Sequence, residues 1–147
     1  MGHSIVIYHE GVARVDVTGG AQDEFEVAAT VPLIVTDDVE GAANVLRPMY
    51  ALYFGGMGAK GTNFHANVPI RMGYEREVER IQELYLSGRK DDAAAAVPSE
   101  LIDQLTLIGT KEKIAHDLDA WRESIVTTLL VSGDAATLRT AAELVLG

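Results

Sequence analysis

Residues 25–36, reading FEVAATVPLIVT, are apolar almost without interruption, and few folds accommodate such a run. A strand buried on both faces of a parallel sheet reads this way, because helices cover both of its sides. Pro32 inside the run has no N–H to offer a ladder, which predicts an edge or a bulge. A second β-branched run, residues 125–131 (IVTTLLV), predicts another buried strand. Two parallel strands imply a crossover connection, and the stretch 39–123 between them is far longer than one crossover helix needs. The expectation is therefore an α/β chain with an inserted helical subdomain.

Within that stretch the helices announce themselves by caps and periodicity. Asp37 or Asp38 is a good N-cap, and Val39, Ala42, Ala43 and Leu46 follow it. Pro48 predicts a break or kink near Arg47, with a second helix from 48 to about 54. Residues 63–72 read as an irregular connection. Residues 74–87 give the clearest amphipathic pattern, with Val78, Ile81, Leu84 and Tyr85 on one face, glutamates on the others, and Gly88 as C-terminal cap. Residues 91–96 and 99–107 read as two further helices on either side of Pro98. Thr110 caps a helix carrying Ile114, Leu118 and Trp121, and Asp134 caps a last one carrying Leu138, Ala141, Leu144 and Val145. Ahead of the apolar run, residues 4–9 and 13–18 predict short strands around Glu10-Gly11.

The 147 residues suffice for one domain with a core of its own, but fall short of a complete (β/α)8 barrel of about 250 residues. A net charge of −10 argues against nucleic acid or an anionic membrane as partner. No apolar run is long enough to suggest a membrane span, and residues 1–4 carry no leader-like pattern. The absence of cysteine excludes disulfides, thiolate ligands and a Cys nucleophile, and predicts a cytoplasmic setting.

Candidate chemistry concentrates in residues 52–65, where an aromatic helix end runs into Gly55, Gly56, Gly58 and Gly61. Such a cluster gives up much conformational freedom on folding, so it marks unusual backbone or close approach. One reading is an anion or cofactor contact made by backbone N–H groups at Gly56 and Gly58 with Lys60, Asn63 and His65. The other is a helix terminus and a tight structural loop. It is no P-loop, since Gly-Lys-Ser/Thr is missing. His3, His9, His65 and His116 show no metal-ligand spacing, so metal is not expected. Gly-x-Ser-x-Gly is absent, no catalytic residue declares itself, and Arg71, Arg89 and Lys90 are scattered cations of the kind that usually make surface pairs.

Taken in order, several motifs resemble one family. The run from Arg47 through Pro48, Met49, Tyr50 and the first glycines to Gly58, then Asn63-Phe64-His65, is similar to the C-terminal third of luciferase-like monooxygenases, in particular the coenzyme F420-dependent oxidoreductases. Gly88-Arg89-Lys90 with residues 93–98, and Leu107-Ile108-Gly109-Thr110 followed by Glu112-Lys113-Ile114-Ala115, agree with it in order. The resemblance covers about residues 25–131, leaving 1–24 as a poorly matched N-terminal segment and 25–147 as the luciferase-like α/β region. It implies a partial TIM barrel: the last two β/α units plus an inserted helical subdomain, completed by oligomerisation. It implies coenzyme F420 or FMN as cofactor in the intact relative, with hydride transfer to an organic substrate, and a chain that is inactive alone and binds no cofactor alone. A small-molecule substrate is then expected only if the barrel is completed. Two other expectations stand beside it: a non-catalytic, self-associating assembly module, and a small-molecule binding domain built on the Gly-rich loop and Lys60.

Overall fold

The computed structural model describes residues 27–58 and 62–146. The strands expected at 4–9 and 13–18, together with His3, His9 and Lys60, lie outside the described residues. The chain divides into two compact units, one formed by the residues up to Asp37 with Leu105–Gly147, the other by Asp38–Gln104.

In the first unit the apolar run is not one strand but two short ones, β1 (Ala28–Thr30) and β2 (Leu33–Val35). They pair in parallel with different partners. β1 runs beside β4 (Thr128–Leu130), with Ala29 opposite Leu129, and β2 runs beside β3 (Leu107–Gly109), with Ile34 opposite Ile108. Peptide groups of one segment thus serve two neighbours in succession: Val27 O accepts from Thr127 N at 3.0 Å and Val31 N donates to Leu130 O at 3.1 Å, whereas Pro32 O accepts from Leu107 N at 2.9 Å and Thr36 N donates to Gly109 O at 2.9 Å. Pro32 stands at the start of the β3 ladder. Its carbonyl is used, and the N–H it lacks falls before the first ladder bond.

Burial of this segment alternates. Ala29, Val31 and Leu33 are buried, while Ala28 and Thr30 are exposed. The expectation of a strand buried on both faces is therefore corrected for β1: its Ala29 face is covered by α6 (Lys111–Arg122) and α7 (Ala135–Leu146), while Ala28 and Thr30 on the other face are exposed. The second strand is also shorter than 125–131 and is only half buried. Ser124 accounts for the late start, since its hydroxyl donates to Trp121 O at 2.7 Å and accepts from Val126 N at 3.0 Å, closing a turn where the strand was expected to begin. Leu107, expected as the end of a helix, instead opens β3 (Leu107–Gly109), which is wholly buried. The inserted helical stretch is shorter for that reason. The caps of α6 and α7 are as expected: Thr110 Oγ1 accepts from Lys113 N at 3.3 Å and Asp134 Oδ1 from Thr137 N at 2.8 Å. The latter bond holds the Asp134 carboxyl below its ordinary range.

The second unit is helical: α1 (Val39–Ala51), a π-helical turn (Leu52–Gly56), α2 (Phe64–Arg71), α3 (Glu75–Leu86), α4 (Lys90–Ala95) and α5 (Ser99–Leu105). Asp38 caps α1 through Gly41 N at 2.9 Å. The helix runs through Pro48 instead of breaking there, because Pro48 faces solvent while Tyr50 and Ala51 beyond it are buried and hold the turn. The irregularity falls one turn later, in the π segment. Residues expected as an irregular connection form α2, which Asn63 caps by accepting from His65 N at 3.1 Å. α3 is as its periodicity predicts, with Val78, Ile81 and Leu84 buried and Gly88 at φ +84° ending it. α3 packs on the π turn and α4, and α1 packs on α4, where the small Ala42, Ala43 and Ala93 let the helices approach. Among the described residues no helix is long and apolar enough to cross a membrane.

Candidate functional site

The Gly-rich stretch is built around three close approaches. A Cβ on Gly55 would lie 2.7 Å from Tyr85 Cβ, and one on Gly56 would lie 2.4 Å from Tyr85 Cε1. Tyr85 of α3 therefore sits directly on the π turn, and Lys90 Nζ lies 5.5 Å from the centre of the same ring. Gly58 meets Asn63 in the same way, at 3.1 Å from its Cα.

Asn63 is the keystone of the turn. It is 3% exposed, and its Nδ2 donates to Tyr53 O at 2.7 Å and Phe54 O at 3.0 Å. A π turn displaces the usual helical bonding and leaves carbonyls to be satisfied, and the Asn63 amide satisfies two of them while its Oδ1 starts α2. His65 is half buried, its ring 5.2 Å from that of Tyr53 and 4.1 Å from that of Phe64, which is itself largely exposed. Behind them Tyr50 stacks on Phe54 at 5.5 Å, and burial pushes its phenol well above its ordinary pKa, keeping it neutral.

The structure thus brings Gly56, Gly58, Asn63 and His65 into one turn, with Lys60 outside the described residues. A flavin or deazaflavin ring does not fit the hollows beside the described glycines. Tyr85 and Asn63 fill the space beside them, and both amide hydrogens of Asn63 are engaged within the turn. Arg89 is paired with Asp92 at 2.6 Å, so Arg89 and Lys90 each have a partner of their own. Among the described residues no group of His, Asp and Glu could hold a metal ion, and His116 is exposed on α6.

A second polar cluster escaped the sequence reasoning. The Arg47 side chain, 12% exposed, donates from Nε to Val97 O at 3.0 Å, from Nη1 to Glu40 Oε1 at 2.6 Å and to Asn44 Oδ1, and from Nη2 to Ser99 Oγ at 2.6 Å. Ser99 Oγ donates in turn to Glu40 Oε2 at 2.8 Å. The Arg47 hydrogen bond, and then that of Ser99, hold the Glu40 carboxyl below its ordinary range. The signal was present: Glu40, Asn44 and Arg47 at spacings of four and three share one helix face. Every member is satisfied by another, so the cluster ties α1 to the start of α5.

These turns and clusters sit in a chain whose family is shown by comparison. The protein belongs to the luciferase-like monooxygenase family, whose model matches residues 1–128. That match begins ahead of residue 25, where the motif resemblance starts. The protein is also 41% identical, over 137 residues, to a Mycobacterium tuberculosis protein named "Putative coenzyme F420-dependent oxidoreductase Rv3520c". The aligned region covers 92% of this chain and 39% of that relative, so the chain spans about two-fifths of its length. No solved structure matches.

Replacing Asn63 by Ala removes the donor for one buried and one half-buried carbonyl, at an expected cost of about 3 kcal/mol. Urea unfolding of Asn63→Ala checks this, and a loss below about 1 kcal/mol contradicts the keystone role. For Glu40 the sign follows from a folded-state pKa below the unfolded one. Its contribution is present above the ordinary glutamate range and is lost as pH falls through the folded pKa. The melting-temperature gap between wild type and Glu40→Gln is expected at neutral pH and closes on acidification; a gap independent of pH contradicts the assignment.

Proposed function

We propose that this protein serves a luciferase-like oxidoreductase reaction, hydride transfer between a reduced deazaflavin or flavin and an organic substrate, as the closing portion of a barrel and not as a self-sufficient enzyme. Family membership supports the reaction class. The observation that carries the rest is the uncovered face of the β1–β4 ladder: Ala28 and Thr30 are exposed there, and Leu130, paired with Thr30, is 51% exposed. Parallel sheets in α/β proteins are covered on both faces, so this face calls for further strands or another chain. Coenzyme F420 and FMN are both in keeping with the relative's name and the family. The cofactor would supply the hydride, and the protein would supply orientation and exclusion of water. Gly56, Gly58, Lys60, Asn63 and His65 were expected as its contacts. Of the described ones, His65 with its flanking Tyr53 and Phe64 rings retains an accessible surface for that role. A cysteine-free composition is in keeping with a cytoplasmic location.

The same uncovered face favours a second reading, in which copies of this chain cover one another's ladders as a non-catalytic assembly. One preparation discriminates the two. With reduced F420 or reduced FMN and a general acceptor, the chain alone is expected to show no protein-dependent oxidation of the cofactor. Co-expression with the remaining N-terminal portion of the mycobacterial relative is expected to restore it. Sustained turnover by the chain alone contradicts the incomplete-barrel reading. A concentration-dependent mass in sedimentation, with no turnover after co-expression, favours the assembly.

A further inference from the structure

No described side chain of α7 is buried, which is true of none of the other described helices. Ala141 and Leu144 do pack against the core of the first unit, but only in part. The reason lies beneath the helix. A cleft of about 410 Å³ separates it from the rest of the unit, with Leu33, Leu107, Ile114 and Leu118 on one side and the small Ala141 and Ala142 on the α7 side. Well-packed interiors leave few voids larger than a water molecule, so these facing surfaces do not interlock and forgo much of their dispersion attraction.

The tethers that hold α7 to α6 are polar and peripheral. Lys111 Nζ, at the start of α6, donates to Glu143 Oε2 at 2.6 Å, and both side chains are about half exposed. Arg122 Nη2, at the end of α6, donates to Leu144 O at 2.9 Å. Exposed ion pairs contribute little to stability, and the carbonyl that Arg122 takes is one that a helix end would otherwise leave to water. Both tethers engage the last turn of α7. Ahead of the helix, residues 131–134 have no regular structure and are half-buried or exposed, so they can serve as a hinge. On the far side of that hinge Asp134 supplies the cap, its backbone O accepting from Leu138 N at 3.0 Å, so the start of the helix is specified by its own residues.

We propose that α7 is a hinged lid: it leaves the first unit about residues 131–134 in an opening that keeps α6 and both parallel ladders folded, and so uncovers the apolar cleft reversibly. The lid follows from packing alone and does not depend on the oxidoreductase reading.

Native-state hydrogen exchange of the full chain, followed residue by residue at low urea concentrations, tests this without any substitution. Once detached, a helix of 12 residues is marginal in water, so its amides exchange. The amides from Leu138 to Leu144 are expected to share one level of protection, about a hundredfold or more below that of Leu118 in α6, with a urea dependence much weaker than that of global unfolding. Ala141→Leu, which fills the cleft from the lid, is expected to raise protection throughout α7 by about fivefold or more and to leave α6 unchanged. The wild-type measurement decides alone if that variant does not fold. Equal protection in α6 and α7 overturns the proposal. So does protection that declines residue by residue toward the chain end, which means fraying only, and so does a folded Ala141→Leu in which α7 protection does not rise.

Discussion

One stretch of backbone, residues 27–36, carries both ladders of the first unit. Its peptide groups change neighbour once along the chain, those of Val27 and Val31 facing β4 and those of Pro32 and Thr36 facing β3. Two chain segments distant in sequence, β3 and β4, are thereby tied to a single one. Removing the segment would leave β3 and β4 without their partners and would take Ala29, Val31 and Leu33 out of the core that Leu107, Ile114 and Leu118 complete. Pro32 fits because the position where the pairing changes side is one where a missing N–H costs no ladder bond.

The same change of partner explains why the apolar run was legible as strand but not as to its environment. Continuous apolar character predicts cover on two sides, and the composition agrees with that. At β1 the described chain supplies cover for one side only, which the sequence of a shared, incompletely covered segment does not reveal. Leu107–Gly109 was hidden for another reason. It follows a helix after Thr106 alone, and a three-residue strand has no period of its own to set against a helical one. Caps and amphipathic faces, which depend on local geometry, were read correctly at Asp38, Thr110, Asp134 and Gly88. Pro48 was over-read, because burial of Tyr50 and Ala51 outweighs the loss of one helical hydrogen bond.

The glycines at 55, 56 and 58 show how a family signature can be recognised before its physics is. The sequence offered two accounts, cofactor contact and tight structural turn, with no rule to choose. The distances favour close packing: Tyr85 and Asn63 occupy the places where side chains on these glycines would lie, and Asn63 closes the π turn. Asn63 as an N-cap was legible in principle, being an Asn directly before a helix-compatible run, and Pro69 within that run concealed it. The Arg47 network was equally concealed, because its partners Val97 and Ser99 are distant in sequence.

If one segment truly carries both ladders, they open together. Native-state hydrogen exchange in wild type and in Ile108→Ala tests this directly, because Ile108 is buried on the β3 side, away from the β4 ladder. The expected result is that protection falls by the same amount at Leu107, at Thr36 and at Val31, whose amide bonds to β4. Protection that falls at Leu107 and Thr36 while Val31 is unchanged would contradict a shared segment and leave two independent ladders.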